Sequence, residues 1–150
     1  MALPTDFEPM APESLHDRMA GKLGVGGFRT SHELVAVVER LLPATAIMSL
    51  VSSGLTDTEV YQLIIPRRTL SHRIARKQRL SAEESDKAVR VARITAMAEE
   101  AFIDSEKSWR WLRKPKRIFG GRKPIDMLAT EAGARLVEEM LVQFHYGMTA

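Results

Sequence analysis

"GLTDTEVYQLIIPRRTLSHRIAR", Gly54 to Arg76, reads as two short helices separated by a tight turn. Thr56 and Glu59 have the spacing of a capping box, in which a hydroxyl and a carboxylate three residues apart satisfy each other's backbone amides. Pro66 fits the first turn of the second helix, because its missing N–H would have no intrahelical partner there. Val60, Leu63, Leu70 and Ile74 are expected to form the inner face. Arg67, Arg68, Ser71, His72, Ala75 and Arg76 then face outward, with Thr69 and Arg73 on the flanks. In a helix-turn-helix, one short helix braces across the phosphate backbone and the second inserts its N-terminal residues into the major groove. Arg67, Arg68, Thr69, Ser71, His72, Arg73 and Arg76 include the side-chain types that hydrogen-bond phosphates and base edges, and are the candidate DNA contacts. A solvated helical hairpin is the plain alternative. The carboxylate-free run of cations and the proline start favour DNA.

Working outward, the periodicity stays helical, and the expected fold class is all-α. "SHELVAVVERLLP" places Leu34, Val37, Val38, Leu41 and Leu42 on one face, with Thr30 or Ser31 as N-cap and Pro43 as the stop. "PATAIMSLVSSG" is a short helix closed by Gly54. "SAEESDKAVRVARITAMAEEAFID" repeats the capping-box spacing at Ser81 and Glu84, carries an apolar stripe from Ala88 to Phe102, and is the longest helix. "KPIDMLATEAGARLVEEMLVQFHYG" reads as a short helix from Pro124, a cap near Thr130, and a final helix ended by Gly147.

The 150 residues, 45% of them hydrophobic, suffice for a real core. The absence of cysteine excludes disulfides and thiolate chemistry. The N-terminus lacks the pattern of a secretory signal, and no run approaches membrane-spanning length, so a cytoplasmic protein with no membrane partner is expected. Net charge is only +3, but it is unevenly distributed: residues 1–65 carry four cations against eight acids, while Pro66 to Arg79 has six cations and Lys107 to Lys123 eight, both without acids.

The second basic block, "SWRWLRKPKRIFGGRKP", interleaves aromatics with cations as single-strand binders do. Trp109, Trp111 and Leu112 lie at helical spacing, however, where aromatics more often pack into a core. "FGGRKP" lacks the lysine-serine/threonine pair and the preceding strand of a phosphate loop, so its glycines are expected to form a turn before Pro124. His16, His32, His72 and His145 fall into no metal-ligand spacing, and Glu99-Glu100 and Glu138-Glu139 diverge on their helices. No nucleophile, base and orienting group can be assembled, and no cofactor is expected.

From about Ala98 to Gly147, "WLRKP", "FGGRKPIDMLATEAGARLVEEML" and the closing "HYG" resemble the toxin-binding domain of the Xre/MbcA/ParS antitoxins. The segment from Gly54 to Ile94 resembles the Xre-type helix-turn-helix of the same family, and residues 1–53 match less distinctively. The resemblance implies a partly ordered N-terminal extension over residues 1–30, a helix-turn-helix region over 31–94 and a toxin-binding domain over 95–150. It implies the antitoxin of a type II toxin-antitoxin pair, not an enzyme, whose partner is a RES-domain toxin that depletes NAD. NAD would be the toxin's substrate. Operator DNA and a second copy of the chain are the other implied partners. Trp111, Leu112, Phe119, Gly120, Gly121, Pro124, Leu128 and Gly133 would keep the fold, while Arg122, Lys123, Tyr146 and the tail with Met148 are candidate toxin contacts. The rival is a free-standing helix-turn-helix regulator with a C-terminal dimerisation or ligand-sensing domain.

Overall fold

The computed structural model describes residues 13–147; residues 1–12 of the expected extension, and Met148, lie outside the described residues. Within them the chain is helical throughout, with two isolated β-bridges, Pro43 with Arg79 and Lys116 with Arg122. The helices are α1 (Leu15–Leu23), α2 (Ser31–Glu39), α3 (Thr45–Ser52), α4 (Asp57–Leu63), α5 (Arg67–Ala75), α6 (Ala82–Phe102), α7 (Ser105–Leu112), α8 (Pro124–Met127) and α9 (Glu131–His145).

α6 is the axis of the molecule, and α1, α2, α3, α7 and α9 all pack on it. Its capping box is formed, with Ser81 Oγ accepting from the Glu84 amide at 3.1 Å and the Glu84 carboxylate accepting from the Ser81 amide at 2.8 Å. Small residues let neighbours approach closely: Ala88, Ala92, Ala96 and Ala98 are all fully buried. Thr95, also buried, donates its hydroxyl to the Val91 carbonyl at 2.7 Å and so leaves no polar atom wanting.

Residues 94 and 95, where the sequence divides into two regions, lie in the middle of this helix, and both are buried. One apolar core runs through both regions, joining Leu50, Ile65 and Leu80 to Leu112, Leu128 and Leu141. Each such leucine or isoleucine contributes roughly 1.5–3 kcal/mol by leaving water. The two regions therefore share a helix and a core.

Part of the expected N-terminal extension belongs to that body. α1 opens with a capping box between Ser14 and Asp17, and Met19, Ala20 and Leu23 are buried against α6 and α3. Lys22 reaches Glu99 of α6 at 2.6 Å, with only 6% of its side chain exposed. Gly24 closes the helix at φ 63°, where a side chain would also collide with Ser49 Oγ.

α2 ends earlier than its periodicity suggests. Leu41 takes φ 66°, which turns Leu42 into the core. There the Leu42 amide donates to Ser85 Oγ at 3.0 Å and its carbonyl accepts from the Leu80 amide at 2.9 Å. Satisfying a buried backbone outweighs one more turn of helix.

Candidate nucleic-acid and toxin interfaces

The Thr56–Glu59 capping box starts α4, and Val60, Leu63, Ile64 and Ile65 are buried beneath it. Pro66 stands one residue before the helix, as the N-cap of α5, with extended backbone at φ −61° and ψ 149°. α5 itself sits shallowly. Leu70 is half-buried, but Ile74, expected on the inner face, is 44% exposed. Arg67, Arg68, Ser71, His72 and Arg76 are exposed, and Thr69 is half-buried.

Arg73 is not a free flank cation. Its Nε donates to Glu84 Oε1 at 2.8 Å and its Nη2 to Glu84 Oε2 at 3.2 Å, a fork that ties α5 to the first turn of α6. Burial pushes the Glu84 carboxyl upward, but the Arg73 hydrogen bonds, the Ser81 amide and the arginine charge outweigh it and hold it below the ordinary carboxylate value. Arg73 thus positions α5, and its charge is already matched. The anchor missing at Ile74 is supplied by this ion pair.

A second junction joins the C-terminal region to α4. Trp109 of α7 is buried on Gly54, whose φ is 127° and where a Cβ would come within 2.5 Å of the indole nitrogen. Arg113 stacks on that ring at 4.6 Å, donates to the Gly54 carbonyl at 2.7 Å, and forks onto Glu59 at 2.8 and 3.1 Å. Glu59 feels burial, which raises its pKa, but the Arg113 and Thr56 interactions outweigh it and leave the carboxyl below its ordinary value. The sequence gives no sign of this clamp, because its partners stand 54 residues apart.

The glycine turn forms as expected. Gly120 and Gly121 take φ 66° and 84° after a 3-10 turn, Arg117–Phe119, and Pro124 opens α8. Gly133 is required by close approach, because a Cβ there would strike the Met127 carbonyl. Leu112 and Leu128 are fully buried, whereas Trp111 is half-buried in an aromatic trio, 5.6 Å from Phe102 and 5.7 Å from Phe144. Arg122 and Lys123 are exposed on the α7–α8 connection, and Tyr146 is exposed at the end of α9 beside a groove lined by Met97, Glu100, Val142 and His145. Arg122 and Lys123 thus share one connection, and Tyr146 comes from another element. Ile103, 93% exposed and at φ 60°, is a bulky residue at the same end as Phe102 that sequence reasoning passed over.

Fold and surfaces define a class: an all-helical protein in which a helix-turn-helix is docked onto a small helical domain. Residues 33–93 match the antitoxin Xre-like helix-turn-helix domain, and residues 97–147 the antitoxin Xre/MbcA/ParS C-terminal toxin-binding domain. An antitoxin Xre from Pseudomonas putida is 39% identical over 130 residues, covering 87% of this chain and 82% of that protein. A protein of Sphingobium sp. named Prs ADP-ribosylating antitoxin is 26% identical over 127 residues, covering 77% and 80% respectively. An antitoxin Xre from Yersinia enterocolitica is 32% identical over 85 residues, 56% of this chain and 57% of that one. The chain belongs to the Xre/MbcA/ParS antitoxin family. Its toxin-binding domain implies a toxin partner, and its helix-turn-helix implies DNA binding. No helix among the described residues is long and apolar enough to cross a membrane.

Proposed function

We propose that this chain neutralises a RES-domain, NAD-depleting toxin in the cytoplasm by binding it directly, and represses its own operon as a dimer. The observation that carries the reading is the union of the two matched regions around α6, which gives one body both a DNA-facing helix and a toxin-binding domain. On the DNA side, Arg67, Arg68 and Arg76 are exposed with no carboxylate within ion-pair distance among the described residues, and Thr69, Ser71 and His72 add hydrogen-bonding groups beside them. Arg73 orients the helix from behind. A single helix-turn-helix reads few base pairs, so operator specificity calls for two copies on half-sites about one helical turn apart. On the toxin side, Arg122, Lys123, Tyr146 and the tail with Met148 are the proposed contacts. The chemistry belongs to the toxin, with NAD as its substrate. The test is co-expression with the neighbouring gene product and purification on a tag carried by one partner: a stoichiometric complex with a RES-domain protein supports the proposal, and clean separation of the two refutes it.

A further inference from the structure

We propose that the groove between the ends of α6 and α9 is the anchor of the toxin interface and receives an apolar side chain of the toxin with a cation beside it. It rests on the toxin-binding reading and adds where the toxin is gripped. Geometry is the first support. α9 runs in the same direction as α6, since Glu131 at its start pairs with Arg90 and Arg93 while Phe144 near its end meets Phe102. Both helices therefore finish at one end of the molecule, where they enclose a cavity of about 190 Å³. Leu141, fully buried, and Met97, half-buried, line it with apolar surface, and Val142 and Tyr146 line it from exposed positions. Pockets for small molecules run to about 300–1,000 Å³. This one suits a single inserted side chain better than a ligand.

The occupant follows from where the groove lies in the chain. The span that matches the toxin-binding domain, residues 97–147, begins at Met97 on one wall of the groove and ends just after Tyr146 on the other. Much of the rest of that domain is already engaged: Trp109 and Arg113 seat α7 on the α3–α4 turn, and Arg90 and Arg93 hold the start of α9. Composition agrees, because tyrosine and methionine are enriched in protein interfaces, and the side chains that carry binding energy meet in desolvated pockets near the centre. Ile103, almost fully exposed, ends α6 three residues beyond Glu100 and adds apolar surface at this end. Glu100 supplies the charge preference. It lines the groove half-buried and has no ion-pair or hydrogen-bond partner among the described residues, whereas its neighbour Glu99 holds Lys22. A carboxylate in that setting is best satisfied by a cation, through a charge-assisted hydrogen bond.

The test titrates the full chain against the RES-domain protein proposed as its partner, comparing Val142→Glu, Tyr146→Ala and Glu100→Gln with the double variant Arg122→Ala, Lys123→Ala. Val142→Glu and Tyr146→Ala should each raise Kd on the order of thirtyfold or more, the scale of an interface hot spot. Glu100→Gln should raise it severalfold, and the double variant by less than Tyr146→Ala. Tyr146 is exposed at the end of α9, so its loss should leave the thermal melt unchanged and report on binding alone. Unchanged toxin affinity in both Val142→Glu and Tyr146→Ala overturns the groove as anchor, and a large loss in the double variant then moves the anchor to the α7–α8 connection. Groove variants that keep toxin affinity but separate copies of the chain make the groove an interface between copies, which also overturns the proposal. A wild-type chain that does not bind the RES-domain protein removes the toxin reading itself, and this inference with it.

Discussion

Replacing Trp109 by alanine removes the indole that separates α7 from the α3–α4 turn. The ring is 8% exposed, lies on Gly54, and is faced by Arg113 at 4.6 Å and Lys22 at 5.5 Å. Truncating a buried tryptophan costs about 3–5 kcal/mol, the transfer of the ring plus the cavity it leaves. The indole nitrogen has no hydrogen-bond partner, so no hydrogen bond is lost to add to that figure. Two cation-ring contacts are lost as well, but both cations keep a carboxylate, Glu59 for Arg113 and Glu99 for Lys22. A chain of this size loses about 2–4 °C of Tm per kcal/mol, so the midpoint should fall by roughly 6–20 °C. Thermal and urea unfolding followed by circular dichroism measure it. A loss below about 1 kcal/mol would refute the view that Trp109 is the principal wedge between the two regions.

Trp111→Ala should cost less, about 1–3 kcal/mol, since the half-buried ring makes two aromatic pairs, with Phe102 and Phe144, each contributing about 0.5–1.5 kcal/mol; the same unfolding curves would show a contrary order. Arg67→Ala with Arg68→Ala should weaken operator binding and flatten its salt dependence at unchanged Tm, whereas Arg73→Ala should lower Tm by stranding Glu84; equal behaviour in paired binding and melting measurements would erase that distinction. Glu59, Glu84 and Glu131 all sit below the ordinary 4.5 when folded, so they stabilise the fold above that value and the contribution is lost as pH falls through their lowered values. Tm should therefore decline below about pH 4.5, and less steeply in Glu84→Gln; an identical profile for the variant contradicts this. A fragment ending at Ile94 cuts α6 and removes Leu112, Leu128 and Leu141 from the common core, so it should lack a cooperative melt by calorimetry; a sharp transition near that of the full chain would show the halves to be independent.

Local chemistry was legible in the sequence because it acts across three or four residues. The capping boxes at Thr56–Glu59 and Ser81–Glu84, the Thr130 cap and the Gly120–Gly121 turn all formed where their spacing placed them. The candidate DNA residues could be read from the charge of α5, but not the role of Arg73, whose partner sits on the next helix. Likewise the Lys22–Glu99 pair spans 77 residues, so α1 read only as part of an N-terminal extension although Met19 and Leu23 bury one face of it. Both tryptophans were readable as packing residues, yet their ranking was not. That Trp109 lies deeper than Trp111 follows from Gly54, which comes to lie beneath the ring only once the chain is folded.

The most direct measurement of the central claim is NAD in cells that express the proposed RES-domain toxin with and without this chain. If the chain neutralises that toxin by direct binding, NAD and growth collapse with the toxin alone and recover when the chain is co-expressed. Recovery should persist with Arg67→Ala and Arg68→Ala, which are proposed to act on DNA, and weaken with Trp109→Ala, which destabilises the shared body. NAD that stays depleted in the presence of well-folded chain, or that never falls with the toxin alone, would contradict the account.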